Sequence, residues 1–256
     1  MQIVILENSA QIGDYAANRI LREIETGAIR VLGVATGSSP LPLYSELARR
    51  QTPAVSKLQV FALDEYVGLP VAHSQSYHSV INRDVTVPLG IDPQKVHVPN
   101  GQATNIVDAC LDFEAAIGEA GGIDLQILGI GSGGHIGFNE PTSSLTSRTR
   151  IKTLTSETRH ANARFFGSFE EVPTHCITQG LGTIMEARQT ILLAQGVNKA
   201  SAVAQMIEGP MTSMCPASIL QMHPDVTVIL DTAAAANLVN TSYYEYVFRN
   251  RPSWQR

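Results

Sequence analysis

Short apolar segments alternate with segments of helical spacing along nearly the whole 256-residue chain. A strand buried on both faces is a continuous apolar run, whereas an amphipathic helix repeats its apolar residues every three or four positions. The predicted strands are Ile3–Leu6, Val31–Ala35, Val60–Leu63, Leu125–Leu128, Thr190–Ala194 and Val226–Leu230. The helical stripes between them contain Ile12, Ala16, Ile20 and Ile24; Leu43 and Leu47; Ile106, Cys110, Phe113 and Ile117; and Ala202 and Met206. This order predicts an α/β fold: a mostly parallel sheet with helices on both faces.

No internal repeat, low-complexity tract or long linker interrupts this alternation. A length of 256 residues suits one large α/β domain, so we predict a single domain spanning residues 1–256. Trp254 is expected to pack a terminal segment against it.

Charge and cysteine content exclude several classes of protein. The net charge of −5 and the lack of a long basic run argue against a nucleic-acid partner. No apolar stretch is long enough to span a membrane, and the N-terminus lacks the basic region of a signal peptide. Cys110, Cys176 and Cys215 are widely spaced and odd in number, which predicts buried thiols without a disulfide or a zinc site. A cytoplasmic protein without a metal is expected.

The chemically most informative segment follows the predicted strand Leu125–Leu128. The strand breaks into glycines, and His135 and Glu140 follow. Glycines let a backbone turn sharply and approach a small ligand, and an imidazole exchanges protons near neutral pH. Ligands of open α/β sheets bind at the carboxyl ends of the strands. This segment is therefore a candidate catalytic loop, in which Glu140 could orient His135.

The same glycines also fit the G-x-G-x-x-G pattern of dinucleotide-binding folds, from Gly129 to Gly134. That pattern requires a helix to begin within it, but Gly137 and Pro141 oppose a regular helix here. The strand also lies in the middle of the chain rather than at its start, so we disfavour a nucleotide cofactor.

Two further groups of polar residues follow predicted strands. Thr36, Gly37, Ser38 and Ser39 precede Pro40 and a helical stripe, with Ser39 as the predicted N-cap. Helix N-terminal amides and hydroxyls attract anions, so this loop is a candidate phosphate site; the alternative is a capped helix start without a ligand.

Asp64 and Glu65 end another strand. Side chains alternate along a strand, so one carboxylate should enter a given pocket, where it can act as a base; the alternative is a solvated acid.

Taken together, these segments resemble the glucosamine-6-phosphate deaminase family over nearly the whole chain. The matching segments are Ala35-Thr-Gly-Ser-Ser-Pro40, Leu63-Asp-Glu-Tyr-Val-Gly-Leu69 with Ser76-Tyr77, Gly134-His-Ile-Gly-Phe-Asn-Glu-Pro141, Arg148-Thr-Arg-Ile-Lys-Thr153, Ala161-Asn-Ala-Arg-Phe-Phe166, Lys199 and Leu220-Gln-Met-His-Pro224. The resemblance implies conversion of glucosamine 6-phosphate and water to fructose 6-phosphate and ammonia, in amino-sugar catabolism, without a metal or an organic cofactor.

The resemblance also implies a Rossmann-like α/β fold and roles for individual residues. Asp64 would move the proton between C2 and C1, His135 would open the sugar ring, and Glu140 would support His135. The substrate phosphate would be held by the loop Thr36, Gly37, Ser38 and Ser39 together with Arg164 and Lys199. Ser143, Arg150, Lys152 and Thr153 resemble positions that bind allosteric N-acetylglucosamine 6-phosphate in hexameric members, so an oligomer is expected. Arg150 and Lys152 would share one face of a strand, where two cations suit a phosphate; the alternative is a solvated face.

One position departs from the family. Many members carry an acidic residue or an asparagine two positions before the histidine, where this chain has Gly133. We hypothesise that Glu140 alone suffices to orient His135.

Two alternative functions stay open at this point. A 6-phosphogluconolactonase resembles the chain in the Gly-His segment but usually has Asp-Glu-Arg where this chain has Asp64-Glu-Tyr66. A sugar-phosphate sensor without catalysis would need a DNA-binding or partner module, of which the sequence gives no sign.

Overall fold

The computed structural model describes residues 1–252, so the prediction for Trp254 lies outside the described residues. The strands are β1 (Gln2–Leu6), β2 (Val31–Val34), β3 (Gln59–Ala62), β4 (Asp64–Tyr66), β5 (Val96–His97), β6 (Leu125–Gly129), β7 (Arg150–Thr153), β8 (His175–Thr178), β9 (Gln189–Ala194) and β10 (Val226–Asp231). The α-helices are α1 (Ser9–Glu25), α2 (Leu41–Arg49), α3 (Tyr77–Ile81), α4 (Val87–Leu89), α5 (Ile106–Glu119), α6 (Ser156–Ala163), α7 (Leu181–Met185), α8 (Ala200–Glu208) and α9 (Thr241–Arg249). A π-helical turn, Asn82–Thr86, joins α3 to α4.

The main sheet of the described chain has seven parallel strands in the order β1-β10-β9-β6-β2-β3-β5. All six predicted strands belong to it, within one or two residues of their predicted ends. The predicted mostly parallel α/β sheet is therefore confirmed.

Helices cover both faces of this sheet, as the alternation along β9 shows. Ile191 and Leu193 face a core that contains the buried stripes of α1 and α2. Leu192 and Ala194 face the opposite core, with Val203 of α8. Both sets are fully buried, so β9 has the continuous apolar sequence of a strand covered on two sides. None of the helices within residues 1–252 has the length and apolar character needed to cross a membrane.

A second, three-stranded antiparallel sheet, β4-β8-β7, lies beyond the main sheet, and the strand pattern did not predict it. The segment predicted to end at Leu63 leaves the main sheet at Ala62, and the chain then enters β4 at Asp64. Asp64 pairs with Thr178 of β8, which is more than a hundred residues away along the chain. Asp64 therefore begins a strand of the second sheet rather than ending one of the first.

Candidate active site

The three predicted groups of site residues converge because four neighbouring strands of the main sheet end at the same edge. In the order β9-β6-β2-β3, these strands lead into the segments that contain Lys199, His135, the Thr36–Ser39 loop and Asp64. A cavity of about 390 Å³ lies at this edge, with all four segments in its lining. The expectation that unusual residues cluster at the carboxyl ends of parallel strands is met.

Asp64 and Glu65 point in opposite directions, as strand alternation predicts. Asp64 lines the cavity, whereas Glu65 is buried away from it. The Glu65 carboxylate accepts hydrogen bonds from the backbone N–H groups of Tyr66, Tyr77 and His78, at 2.8 to 2.9 Å. Glu65 therefore joins β4 to the start of α3, and Asp64 is the carboxylate available to a ligand.

Burial governs the acidity of Asp64. It is 5% exposed, and burial together with the nearby charge of Glu65 raises the pKa of its carboxyl well above the usual value. Gly137 lies beside it: a Cβ there would stand 3.4 Å from Oδ2 of Asp64. A poorly solvated carboxylate of raised pKa is a stronger base once it is ionised, which suits proton abstraction from carbon.

Gly131 and Gly134 shape the loop around His135. A Cβ at Gly131 would overlap with the imidazole, and Gly131 N–H donates to the carbonyl of His135 at 2.9 Å. Gly134 has a φ of +76° and packs against Cys215, so it needs both the left-handed conformation and the missing side chain. The segment forms no helix here, and the G-x-G-x-x-G pattern is therefore a histidine-presenting loop rather than a dinucleotide fingerprint.

Glu140 lies behind His135, out of the cavity. Its Oε2 is 3.4 Å from Nδ1 of His135, but the alignment is poor, so Nδ1 is buried without a hydrogen-bond partner among the described residues. Burial alone would raise the pKa of Glu140; the adjacent imidazole, Thr158 and Thr155 outweigh it and hold the pKa at about 2. Glu140 is therefore ionised at neutral pH and can attract a protonated imidazole.

The candidate phosphate end of the cavity brings together the loop after β2 and two cations. Thr36, Gly37, Ser38 and Ser39 line it with Arg164 and Lys199. Burial, and then the positive charge of Arg164, lower the pKa of Lys199. Two mutually repelling cations beside a hydroxyl-rich loop form a site that an anion would stabilise.

The predicted N-cap in this loop is wrong by one residue. α2 begins at Leu41 with Pro40 as its N-cap, and no side chain caps it in the described part of the chain. Ser39 instead accepts, through its carbonyl, a hydrogen bond from Gln195 Nε2 at 3.0 Å. This contact ties the loop after β2 to the loop after β9.

The four candidate allosteric residues lie away from the cavity lining. Arg150 and Lys152 share the partly buried face of β7, as predicted, while Thr153 is on its exposed face. Arg150 donates to Oδ1 of Asn139 at 2.9 Å. Ser143 is buried, and its hydroxyl has no hydrogen-bond partner among the described residues.

Motif analysis missed several lining residues. Tyr66 and Tyr77 form an aromatic wall with Phe138 and Phe166, and Asn162 of α6 donates to the hydroxyl of Tyr66 at 3.0 Å. Thr158 was missed as well, and it lies between two segments that matched the family, Arg148–Thr153 and Ala161–Phe166. The aromatic residues within the matched motifs were the available signal; for Thr158, only its neighbours in the folded chain reveal a role.

Comparison with known proteins agrees with this geometry. A family model described as glucosamine-6-phosphate isomerases/6-phosphogluconolactonase matches residues 7–229. A glucosamine-6-phosphate deaminase of Arthrobacter sp. (strain FB24) is 55% identical over 258 residues, covering 100% of this chain and 99% of the relative. The corresponding protein of Mycolicibacterium smegmatis is 53% identical over 259 residues, with the same coverage of both chains.

Solved structures extend the comparison to the fold. A monomeric glucosamine-6-phosphate deaminase superposes with a TM-score of 0.89 at 36% identity, covering 93% of this chain and 100% of that one. A 6-phosphogluconolactonase from Trypanosoma cruzi superposes with a TM-score of 0.75 at 21% identity, covering 93% of this chain and 97% of that one, and so shares the fold alone. On the family match and the full-length identities, the chain belongs to the glucosamine-6-phosphate isomerase/6-phosphogluconolactonase family.

Proposed function

We propose that the chain is a glucosamine-6-phosphate deaminase, which converts glucosamine 6-phosphate and water to fructose 6-phosphate and ammonia. Relatives of that name are 50 to 55% identical over its full length. The observation that carries the proposal is a single cavity whose lining includes Asp64, His135, Arg164 and Lys199. The 6-phosphogluconolactonases that superpose on the chain are only 16 to 21% identical, which disfavours the alternative.

Ring opening is assigned to His135. Opening a hexose ring moves a proton from the C1 hydroxyl to the ring oxygen, and an imidazole can accept the first and donate the second. The ionised carboxylate of Glu140, behind the ring, stabilises the protonated form that occurs between the two transfers. Glu140 therefore supports His135 without contacting the sugar.

Proton transfer between carbons is assigned to Asp64. In the open-chain sugar, Asp64 takes the C2 proton to form an enol-type intermediate and returns a proton to C1. The resulting C2 imine adds water and releases ammonia, leaving the ketone of fructose 6-phosphate. One buried carboxylate can perform both transfers because solvent does not compete for its proton.

Binding of the substrate phosphate is assigned to Thr36, Gly37, Ser38, Ser39, Arg164 and Lys199. The two cations supply the charge, and the loop supplies hydroxyl and amide donors. No step in this scheme requires a metal ion or an organic cofactor. Because residues of both sheets line the cavity, the chain acts as one domain in this proposal. The enzyme would be a hydrolase-type deaminase of the cytoplasm. Its reaction would serve amino-sugar catabolism and N-acetylglucosamine utilisation.

The direct test is an ammonia assay on glucosamine 6-phosphate, with Asp64→Asn as the control. Wild type should release one ammonia per fructose 6-phosphate, and the variant should not. Hydrolysis of 6-phosphogluconolactone without ammonia release would replace the deaminase with the lactonase. Tight binding without turnover of either compound would favour the sensor, and undiminished turnover by Asp64→Asn would overturn the base assignment.

A regulatory site is a separate proposal. Ser143, Arg150, Lys152 and Thr153 would bind N-acetylglucosamine 6-phosphate in a homo-oligomer, a hexamer in the simplest form. The shared face of Arg150 and Lys152 supports it, although one superposed relative is described as monomeric. Light scattering, and activity against substrate with and without the N-acetyl sugar, test the proposal. A monomer with hyperbolic, unresponsive kinetics would refute it.

A further inference from the structure

Two threonine hydroxyls at the start of α6 converge on the carboxylate of Glu140. Thr158 Oγ1 donates to Oε1 at 2.5 Å, and Thr155 Oγ1 lies 3.2 Å from the same oxygen. Thr155 is also the N-cap of α6, where its hydroxyl accepts from the backbone N–H of Thr158 at 3.1 Å. Thr158 is 7% exposed and Glu140 5%, so water is largely excluded from these contacts. Hydrogen bonds donated to a buried carboxylate are among the stronger ones in proteins.

These contacts leave the other carboxylate oxygen as the one nearest to His135. Oε1 is held by the threonines, and Oε2 is the atom that lies 3.4 Å from Nδ1 of His135. Gly133 contributes no side chain, and no atom of the described residues other than its two chain neighbours lies within 4 Å of where its Cβ would be. The family's usual polar residue beside the histidine is therefore replaced by empty space. Orientation of the imidazole then depends on how firmly Glu140 itself is held.

We propose, on the basis of the deaminase function above, that Thr158, assisted by Thr155, is a positioning residue that fixes Glu140 against His135 and so substitutes for the missing side chain at Gly133. Thr158 acts through Glu140 and needs no contact with the reacting atoms. The hydroxyl favours the ionised carboxylate, and the ionised carboxylate favours the protonated imidazole that forms during ring opening.

The same helix extends from Glu140 to the phosphate end of the cavity. Thr158 and Asn162 of α6 line the cavity, and Arg164 follows the last helical residue. The docking of α6 therefore sets both the support of Glu140 and the position of Arg164. Loss of the Thr158 hydroxyl should weaken the support of Glu140 and so lower kcat. It should leave the position of Arg164, and with it KM, unchanged.

Thr158→Val removes the donor and retains the shape of the side chain. We expect kcat for ammonia release to fall about tenfold to a hundredfold with KM little changed. In melting temperature measured against pH, the acid range in which Glu140 loses its stabilising charge should move to higher pH, because losing a bond to the ionised form raises the pKa of Glu140. Thr158→Ser, which keeps the hydroxyl, should restore both quantities. Thr174→Val, at an exposed position before β8, is the matched control.

Thermal unfolding of each variant establishes that it is folded, and Thr158→Ala replaces Thr158→Val if the latter does not fold. A second arm uses Gly133→Asp in the Thr158→Val background, where the added carboxylate should recover part of the lost kcat. If Thr158→Val and Thr158→Ala match Thr174→Val in kcat and in pH profile, the inference is wrong while the deaminase function stands. If wild type itself releases no ammonia, the proposed function fails first, and that outcome is visible before any variant is compared.

Discussion

The imidazole of His135 packs directly on the backbone of Gly131, whose N–H donates to the carbonyl of His135. A side chain at position 131 would occupy the space of the ring, whereas the neighbouring Gly133 faces open space. Two glycines of one loop therefore have opposite tolerance for a methyl group. We expect Gly131→Ala to lower kcat at least a hundredfold by displacing the imidazole, and Gly133→Ala to change it less than threefold. Ammonia release by the two purified variants measures this difference, and equal activities would contradict it.

Gly133→Asp tests whether Glu140 suffices to orient His135. A Cβ at position 133 would have no atom of the described residues within 4 Å apart from its chain neighbours, so the substitution should be tolerated sterically. With Glu140 already held by Thr158, wild type should be active and an added carboxylate should change kcat by less than about tenfold. The measurement is turnover of the two proteins side by side. If wild type is inactive and Gly133→Asp is active, the hypothesis that Glu140 suffices to orient His135 is wrong.

Much of this site followed from the sequence because its parts are local. The carboxyl ends of β2, β3 and β6 are visible as apolar runs that stop at polar residues or, for β6, at glycines, and parallel packing places those ends together. The second sheet was missed because β4 and β7 pair only with β8, so no short segment reveals the pairing. Thr158 was missed for the same reason: its contact with Glu140 arises only when α6 docks on the catalytic loop. Ser39 was misplaced because Pro40 can itself precede the first helical residue.

Asp64→Asn should sharply lower turnover and also stabilise the protein at neutral pH. The pKa of Asp64 is raised in the folded state, so the folded form binds this proton more tightly than the unfolded form. Its contribution to stability therefore becomes unfavourable as pH rises above the unfolded value of 3.8. Asparagine removes that penalty, and the melting temperature at pH 7 should rise by a few degrees while activity falls about 10²- to 10⁴-fold.

Glu65→Gln is the matched control for Asp64→Asn. Its carboxylate accepts three backbone N–H bonds, and an amide cannot accept them all, so this variant should melt lower than wild type. Burial raises the pKa of Glu65 as well, so the amide relieves a charge penalty here too, but we expect the lost acceptor to outweigh that relief and the two acids to give opposite changes in stability. If Asp64→Asn lowers the melting temperature as much as Glu65→Gln does, Asp64 is a structural rather than a catalytic acid.

Lys199→Met should weaken substrate binding more than catalysis. The ammonium and the Arg164 guanidinium repel each other, and a dianionic phosphate between them would relieve that repulsion. Removing one charge-assisted contact costs about 1.5–3 kcal/mol, so KM should rise about tenfold to a hundredfold. Lys95→Met, at an exposed position outside the cavity lining, should leave KM unchanged. Steady-state kinetics at fixed ionic strength measure both KM values. An unchanged KM in Lys199→Met would show that Lys199 does not bind the substrate phosphate.

Glu140→Gln should make the stability of the folded protein less dependent on pH in the acid range. The pKa of Glu140 is depressed to about 2 from 4.5, so its stabilising contribution is complete above pH 4.5 and is lost as pH falls toward 2. Wild type should therefore melt higher than Glu140→Gln at pH 6 to 7, and the two melting temperatures should approach each other between pH 4.5 and pH 2. The measurement is thermal unfolding by circular dichroism across that range. A difference that stays constant with pH would mean that Glu140 is held by shape and not by its charge, and its proposed support of a protonated His135 would lose its basis.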